Sequence, residues 1–293
     1  MQVLRSAVNI MTPLLFAAAG GLFTELSGML NIALEGLLLT GAFAALAAFH
    51  FTGSVAGGIA AALLGSLALS CILALACLKL RSNVFIAGLA VNLFAAGLTV
   101  VLSHRFFGTR GVVSLAQVPR LPVLGIPAIA GIPVIGDFFS GHTLYVYASW
   151  LVLAAAWLVL YRTPFGFRLR SCESRADALV SLGLRPGLYR FTAFLVSGFC
   201  CGLGGSFLSL NLGAFVPNIS AGKGWIALVI IFLGNRRPPG LFAAALIFGL
   251  AESFSNYAQG VFSVPADFIL AIPYVFTLLV MIGVSVYSRK KGR

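Results

Sequence analysis

Charge is scarce in this sequence. Asp, Glu, Lys and Arg make up 9% of its 293 residues, where an ordinary soluble domain carries about 25%. Acidic side chains number seven and histidines three, with His50, His104 and His142 far apart at the ends of apolar runs. No nucleophile, base and orienting group come together in the sequence, so a membrane-embedded hydrolase is disfavoured and no catalytic residue is assigned. Cysteine is scarce as well. Cys71, Cys77, Cys172, Cys200 and Cys201 show no CxxC spacing, and four of them fall inside apolar runs, which fits small packing residues rather than a metal site or a disulfide framework. Gly202, Gly204 and Gly205 have neither a preceding strand nor a Gly-Lys-Ser/Thr ending, so nucleotide binding by this chain is dismissed.

Apolar surface is abundant: the chain is 60% hydrophobic with a mean hydropathy of +1.05. That composition belongs to an integral membrane protein, one all-α membrane domain over residues 1–293 with roughly eight to ten membrane segments. The run Ala7–Phe23 reads as a first span rather than a cleaved leader, because more membrane sequence follows it. Further spans are Met29–His50, Gly53–Leu78, Asn83–Ser103, Thr143–Tyr161, Phe191–Leu212, Leu241–Gln259 and Phe268–Tyr287. Gly224–Gly234 is shorter than the roughly 20 residues of a crossing and reads as a thin crossing or a broken helix. A Pro- and Gly-rich connection over 105–142 reads as an extracytoplasmic cap. Glycines at four-residue spacing, Gly53/Gly57 and Gly198/Gly202, allow close helix contact.

The net charge of +12 does not mark a nucleic-acid surface, because the basic residues sit in short loops between spans. Placing Lys79/Arg81, the arginines of 162–190, Arg236/Arg237 and the C-terminal tail on one side collects 14 of the 19 Lys and Arg, so that side and the C-terminus are expected to be cytoplasmic. The side of the N-terminus stays open. The largest polar island, Tyr161–Tyr189, holds Arg162, Arg168, Arg170, Arg175 and Arg185, with Arg190 just beyond. Ser174 and Asp177 suggest a capping box opening a short amphipathic helix that Gly183 stops and Pro186 prevents from continuing. At about 1.5 Å per residue this helix is too short to cross, and it lies on the membrane surface.

Ionisable groups inside spans are costly, which makes Glu35 and Glu252 functional candidates. Asn31 and Glu35, four apart, are expected on one helical face, and Asn92 and Asn256 add polar groups at depth. Two readings stay open for these five residues: a polar translocation route, or hydrogen-bond glue between helices.

The run GGLFTELSGMLNIALEG (Gly20–Gly36) resembles the pattern Gly-x-(Phe/Leu)-(Ser/Thr)-Glu-(Arg/Lys)-(Ser/Thr)-Gly-(Val/Met)-x-Asn-Ile-(Ala/Gly)-x-Glu-Gly of ABC-importer permeases of the ribose/branched-chain amino acid class. Ala87–Leu102, the PVLGIP and IPVIGD pieces, Arg162–Cys172, Ser220–Gly240 and Ile272–Val280 resemble its nucleoside and simple-sugar branch in the same order. The resemblance implies a type II-like importer permease of the bacterial cell (inner) membrane, with the island as its coupling helix. It implies docking on a separate cytoplasmic ATPase through Phe165, Gly166, Arg168, Arg170, Glu173, Ala178, Leu179 and Gly183. It also implies a second, non-identical permease and an extracytoplasmic solute-binding (lipo)protein, with ATP and Mg on the ATPase and no cofactor on this chain. The partners expected are these chains and membrane lipid. Nucleosides are the first solute class suggested, with riboflavin and simple sugars as alternatives. Within the island the family pattern has Gly and Glu where this chain has Glu173 and Ser174, a departure that suggests a dedicated ATPase partner. The rival from another class is a proton-coupled secondary transporter using Glu35 or Glu252.

Overall fold

A computed structural model of the chain describes residues 2–115, 118, 119, 121–125 and 135–261. Among these residues, seven helices are long and apolar enough to cross a membrane. They are α1 (Gln2–Leu26), α2 (Leu34–Thr52), α3 (Val55–Leu78), α4 (Val84–Phe107), α6 (Leu144–Arg162), α9 (Pro186–Leu212) and α11 (Pro238–Val261). Shorter helices are α5 (Ile135–Phe139), α7 (Pro164–Ser174), α8 (Ala176–Ser181) and the apolar α10 (Lys223–Leu233). Two antiparallel pairs of two-residue strands complete the fold: β1 (Val113–Ser114) with β4 (Ala214–Phe215), and β2 (Val123–Leu124) with β3 (His142–Thr143). The chain is thus an all-α, multi-pass membrane protein. The expected span Phe268–Tyr287 and the basic tail lie outside the described residues.

Local chemistry sets the helix ends. The Ser54 hydroxyl accepts from Gly57 N–H to start α3, and Asn83 Oδ1 accepts from Phe85 and Ile86 N–H to start α4. The most enclosed helix is α1, which packs along α9 and α11 and touches α6 and α10, while α2 and α3 both pack on α9. Gly198 and Gly202 of α9 lie directly on Ser66, Ser70, Ala62 and Leu63 of α3, with no room for a Cβ at 198 and a tight fit for one at 202. Gly53 and Gly57 make no such contact, since Gly53 is the left-handed cap of α2 and Gly57 meets only its own turn.

One end of the bundle gathers Lys79, Arg81, Arg236, Arg237 and α7–α8, and we call it the arginine-rich end. The described residues of the connection 105–142 lie at the other. Arg5 at the start of α1 pairs with Asp137 of that connection (2.8 Å), so the first helix begins at the connection end and crosses to the arginine-rich end.

The second span starts later than its hydropathy suggests. Gly28 has φ +80°, and residues 27–33 form a break between α1 and α2. Asn31 lies in this break, where its Oδ1 accepts from Ala33 N–H (3.0 Å), so Asn31 and Glu35 do not share a helical face. A polar side chain that bonds nearby backbone competes with the helix, which is why the break forms at this asparagine.

At the connection end His142 is buried and donates from Nε2 to the Asp137 carbonyl (2.9 Å). Burial holds its imidazole below the ordinary value of 6.5. The unfolded chain therefore takes up a proton that the folded chain resists. Thermal stability should be full above that ordinary value and decline as pH falls through it, and His142→Gln should flatten the decline.

Candidate functional site

The broken helix α10 is organised by one carboxylate. Glu35 Oε1 accepts from Ser220 Oγ (2.6 Å) and Gly222 N–H (2.8 Å), and Oε2 accepts from Gly224 N–H (2.7 Å). An anion at a helix N-terminus satisfies donors that have no intrahelical partner and complements the helix dipole. Here it also joins α10 to α2 at membrane depth. Gly224 is obligatory at this contact, because a Cβ would strike the backbone N and Cα of Glu35. Gly224→Ala should leave little folded protein, measured as the monodisperse fraction after detergent extraction.

At the same N-terminus, Lys223 Nζ reaches Glu252 Oε1 on α11 at 3.1 Å, and both side chains are largely shielded. This ion pair lines a cavity of about 460 Å³ with Ser6, Asn9 and Pro13 of α1, Asn211 of α9, and Ile219. It lies towards the connection end, beside the start of α1 and the end of α9. Its size suits a small molecule, and its lining joins amides and one ion pair to apolar walls. A larger cavity of about 590 Å³ between α2, α3 and α4 is walled by Phe43, Phe51, Phe94 and Phe106 and offers almost nothing polar.

The asparagines singled out in the sequence lie elsewhere. Asn31 Nδ2 donates to Ser197 Oγ (2.9 Å). Asn92 Oδ1 accepts from Gly36 N–H (2.7 Å), and its Nδ2 donates to the Ile32 carbonyl (2.9 Å). Both amides are spent on the α1–α2 break. Asn256 is exposed on α11, one turn past Glu252, and does not line the cavity.

At the arginine-rich end the expected single helix is two. Ser174 is the last residue of α7, and Arg175 separates α7 from α8 without a side-chain cap, so the capping box does not form. Thr163 accepts from Gly166 N–H, and Pro164 at the first position of α7 starts a helix the sequence reading missed. Gly183, at φ +74°, ends α8 as expected, and Pro186 opens α9. Phe165 packs on Tyr189, Gly166 sits on the carbonyls of Val159 and Leu160, and Leu179 is buried, so these three face the chain's own interior. Arg170 lies over the Tyr161 and Phe167 rings, and Arg168 donates to Tyr189 Oη (3.3 Å). Ala178 is exposed, as are the apolar side chains of Phe167 (57% exposed), Val180 (59%) and Leu182 (75%). Glu173 pairs with Arg236 Nη1 (2.9 Å), and Arg236 Nη2 pairs with Glu25 at the end of α1 (2.7 Å).

Residues 3–285 match the family described as the permease component of the branched-chain amino acid transport system. The chain is a permease of that family. This permease is 33% identical over 282 residues to the nucleoside ABC transporter permease protein NupC of Lactococcus lactis subsp. cremoris, covering 92% of its own chain and 88% of the relative. It is 32% identical over 286 residues to the guanosine ABC transporter permease protein NupQ of Bacillus subtilis, with the same coverage. It is 29% identical over 261 residues to the putative glucose ABC transporter permease protein TsgC13 of Haloferax volcanii, covering 88% and 78%.

One departure of the permease from the pattern set out above, Glu173 where it has Gly, meets a guanidinium of the same chain. Arg236 holds both Glu25 and Glu173. The Glu173 departure thus has an internal counterpart. Sequence reasoning missed Asn9, Asn211 and Lys223 as cavity residues; the one available signal was a lysine opening an apolar run too short to cross.

Proposed function

We propose that this permease forms the solute pathway of an ATP-driven importer of nucleosides, and that the solute passes the Lys223–Glu252 cavity. The observation that carries the reading is a half-length helix, pinned by Glu35, whose Lys223 pairs with Glu252 of α11 at a cavity that also carries Asn9 of α1 and Asn211 of α9. Irregular backbone at membrane depth is tolerated where it lines such a cavity. The nucleoside assignment draws on NupC and NupQ, which are more similar to this chain than the glucose permease named above.

In this reading the arginine-rich end is cytoplasmic, as the distribution of basic residues suggests. A separate ATPase chain carries ATP and Mg and docks on α7–α8, where the exposed Phe167, Val180 and Leu182 offer apolar contacts. A second, non-identical permease closes the pathway, and an extracytoplasmic binding protein delivers solute to the connection end. Because Leu179 points inward and Leu182 outward, Leu182→Asp should lower uptake about tenfold with membrane insertion intact, whereas Leu179→Asp should also damage the permease's own packing.

The test is uptake of radiolabelled guanosine by vesicles carrying the assembled transporter. Saturable accumulation that requires internal ATP, and that unlabelled uridine competes better than glucose, is expected. Uptake that survives ATP depletion and stops when the proton gradient collapses would replace this reading with the secondary-transporter one.

A further inference from the structure

We propose that Arg236 is a positioning residue that couples the arginine-rich segment to α10, so that displacement of α7 and α8 is delivered to Lys223 in the cavity. This rests on the reading of α7–α8 as an ATPase-docking element and adds the residue through which the motion passes. Arg236 ties four elements together. Its guanidinium holds Glu25 of α1 (2.7 Å) and Glu173 of α7 (2.9 Å). Its backbone N–H donates to the Ile231 carbonyl of α10 (3.0 Å), and its own carbonyl accepts from Tyr161 Oη of α6 (3.4 Å). The guanidinium also lies over the Phe232 ring, at 5.8 Å.

The backbone here is unusual. Asn235 and Arg236 both have φ of +54°, a left-handed turn that non-glycine residues adopt only when their surroundings hold them there. Arg190 braces the same joint from α9, donating to the carbonyls of Cys172 (2.8 Å) and Ser27 (3.2 Å), yet it makes no bond to α10. Arg236 thus links α7 to the half-helix. At about 1.5 Å per residue, the 11 residues of α10 make a rod of about 16 Å, with Arg236 just past one end and Lys223 at the other. A hydrogen-bonded helix moves as a body, so a shift at one end reaches the ion pair in the cavity.

A purely structural role fits the Glu173 arm poorly. Both side chains of that pair are 41% exposed, and exposed ion pairs add little to stability. In the proposed coupling the pair instead sets the position of α7 relative to the end of α10.

The experiment uses the transporter assembled with its ATPase in proteoliposomes and a reporter cysteine, Asn211→Cys, at the cavity. Cys71→Ser removes the half-buried native thiol; the other four are buried, and burial holds the Cys172 thiol above its ordinary value. Maleimide labelling of the reporter should change severalfold between the nucleotide-free and ATP–vanadate states. Arg236→Gln should abolish that change and lower guanosine uptake about tenfold while ATP hydrolysis stays within about twofold. Glu173→Gln, which leaves the Glu25 pair intact, should give an intermediate effect and stands in if Arg236→Gln does not fold.

Nucleotide-dependent labelling in both variants equal to the unsubstituted protein overturns the proposal. So does loss of hydrolysis in parallel with uptake, which would mark a docking or folding role. A reporter that answers ATP, together with no guanosine uptake by the transporter with Asn211 intact, sinks the nucleoside assignment and leaves the coupling role standing. A reporter indifferent to ATP in the unsubstituted protein overturns both the cavity reading and the coupling role.

Discussion

Glu35→Gln is expected to lower the apparent melting temperature of the detergent-solubilised permease by about 10 °C or more. The carboxylate is buried and accepts three hydrogen bonds from one short segment, Ser220–Gly224. Hydrogen bonds to a charged acceptor are worth about 1.5–3 kcal/mol each, and leaving a buried charged network without one member costs about 3–5 kcal/mol. A glutamine keeps one acceptor oxygen but turns an N–H₂ towards a donor, and it removes the anion from the α10 N-terminus. Each kcal/mol moves the midpoint of a chain this size by about 2–4 °C. Glu35→Asp, a methylene shorter, should fall between the two. A melting temperature within about 2 °C of the unsubstituted protein would contradict the role assigned to this residue.

The second large effect concerns the ion pair at the cavity. Lys223→Met and Glu252→Gln should each reduce uptake about a hundredfold, near 2.7 kcal/mol of lost stabilisation along the transport path. Lysine at the first position of a helix opposes the dipole, so its ammonium is held there by Glu252, while Glu35 complements the same dipole by accepting from Gly222 and Gly224 N–H. The exchange Lys223→Glu with Glu252→Lys restores the pair and should recover uptake to within about tenfold of the unsubstituted protein. Unaltered uptake in both single variants would remove the pair from the pathway. Full activity of Glu252→Gln would also dismiss Glu252 as a proton carrier.

Much of the bundle was legible because hydropathy reports burial in lipid directly. The spans at Gly53–Leu78, Thr143–Tyr161 and Phe191–Leu212 each overlap one helix, and the short apolar run at Gly224–Gly234 is the half-helix α10. What local pattern could not give was pairing over distance. Glu35 and Gly224 are far apart in sequence, and nothing near Glu35 says that its carboxylate starts a helix. Asn31 misled because a period of four residues was read across the break at 27–33, which ends only where α2 starts at Leu34. Ser174 and Asp177 satisfy the capping spacing, yet Pro164 had already begun a helix that runs through Ser174. Arg236 looked like a topogenic charge in a loop. Its two carboxylate partners come from α1 and α7, and only the fold brings them within reach.

The most direct measurement is protection of a cysteine at Asn9 in the cavity of the assembled transporter. The account predicts that guanosine, at concentrations that saturate uptake, slows maleimide labelling of Asn9→Cys severalfold while leaving labelling of a Val112→Cys control, exposed on the connection outside the spans, unchanged. Equal labelling of Asn9→Cys with and without guanosine, under conditions where uptake proceeds, would place the pathway elsewhere in the molecule.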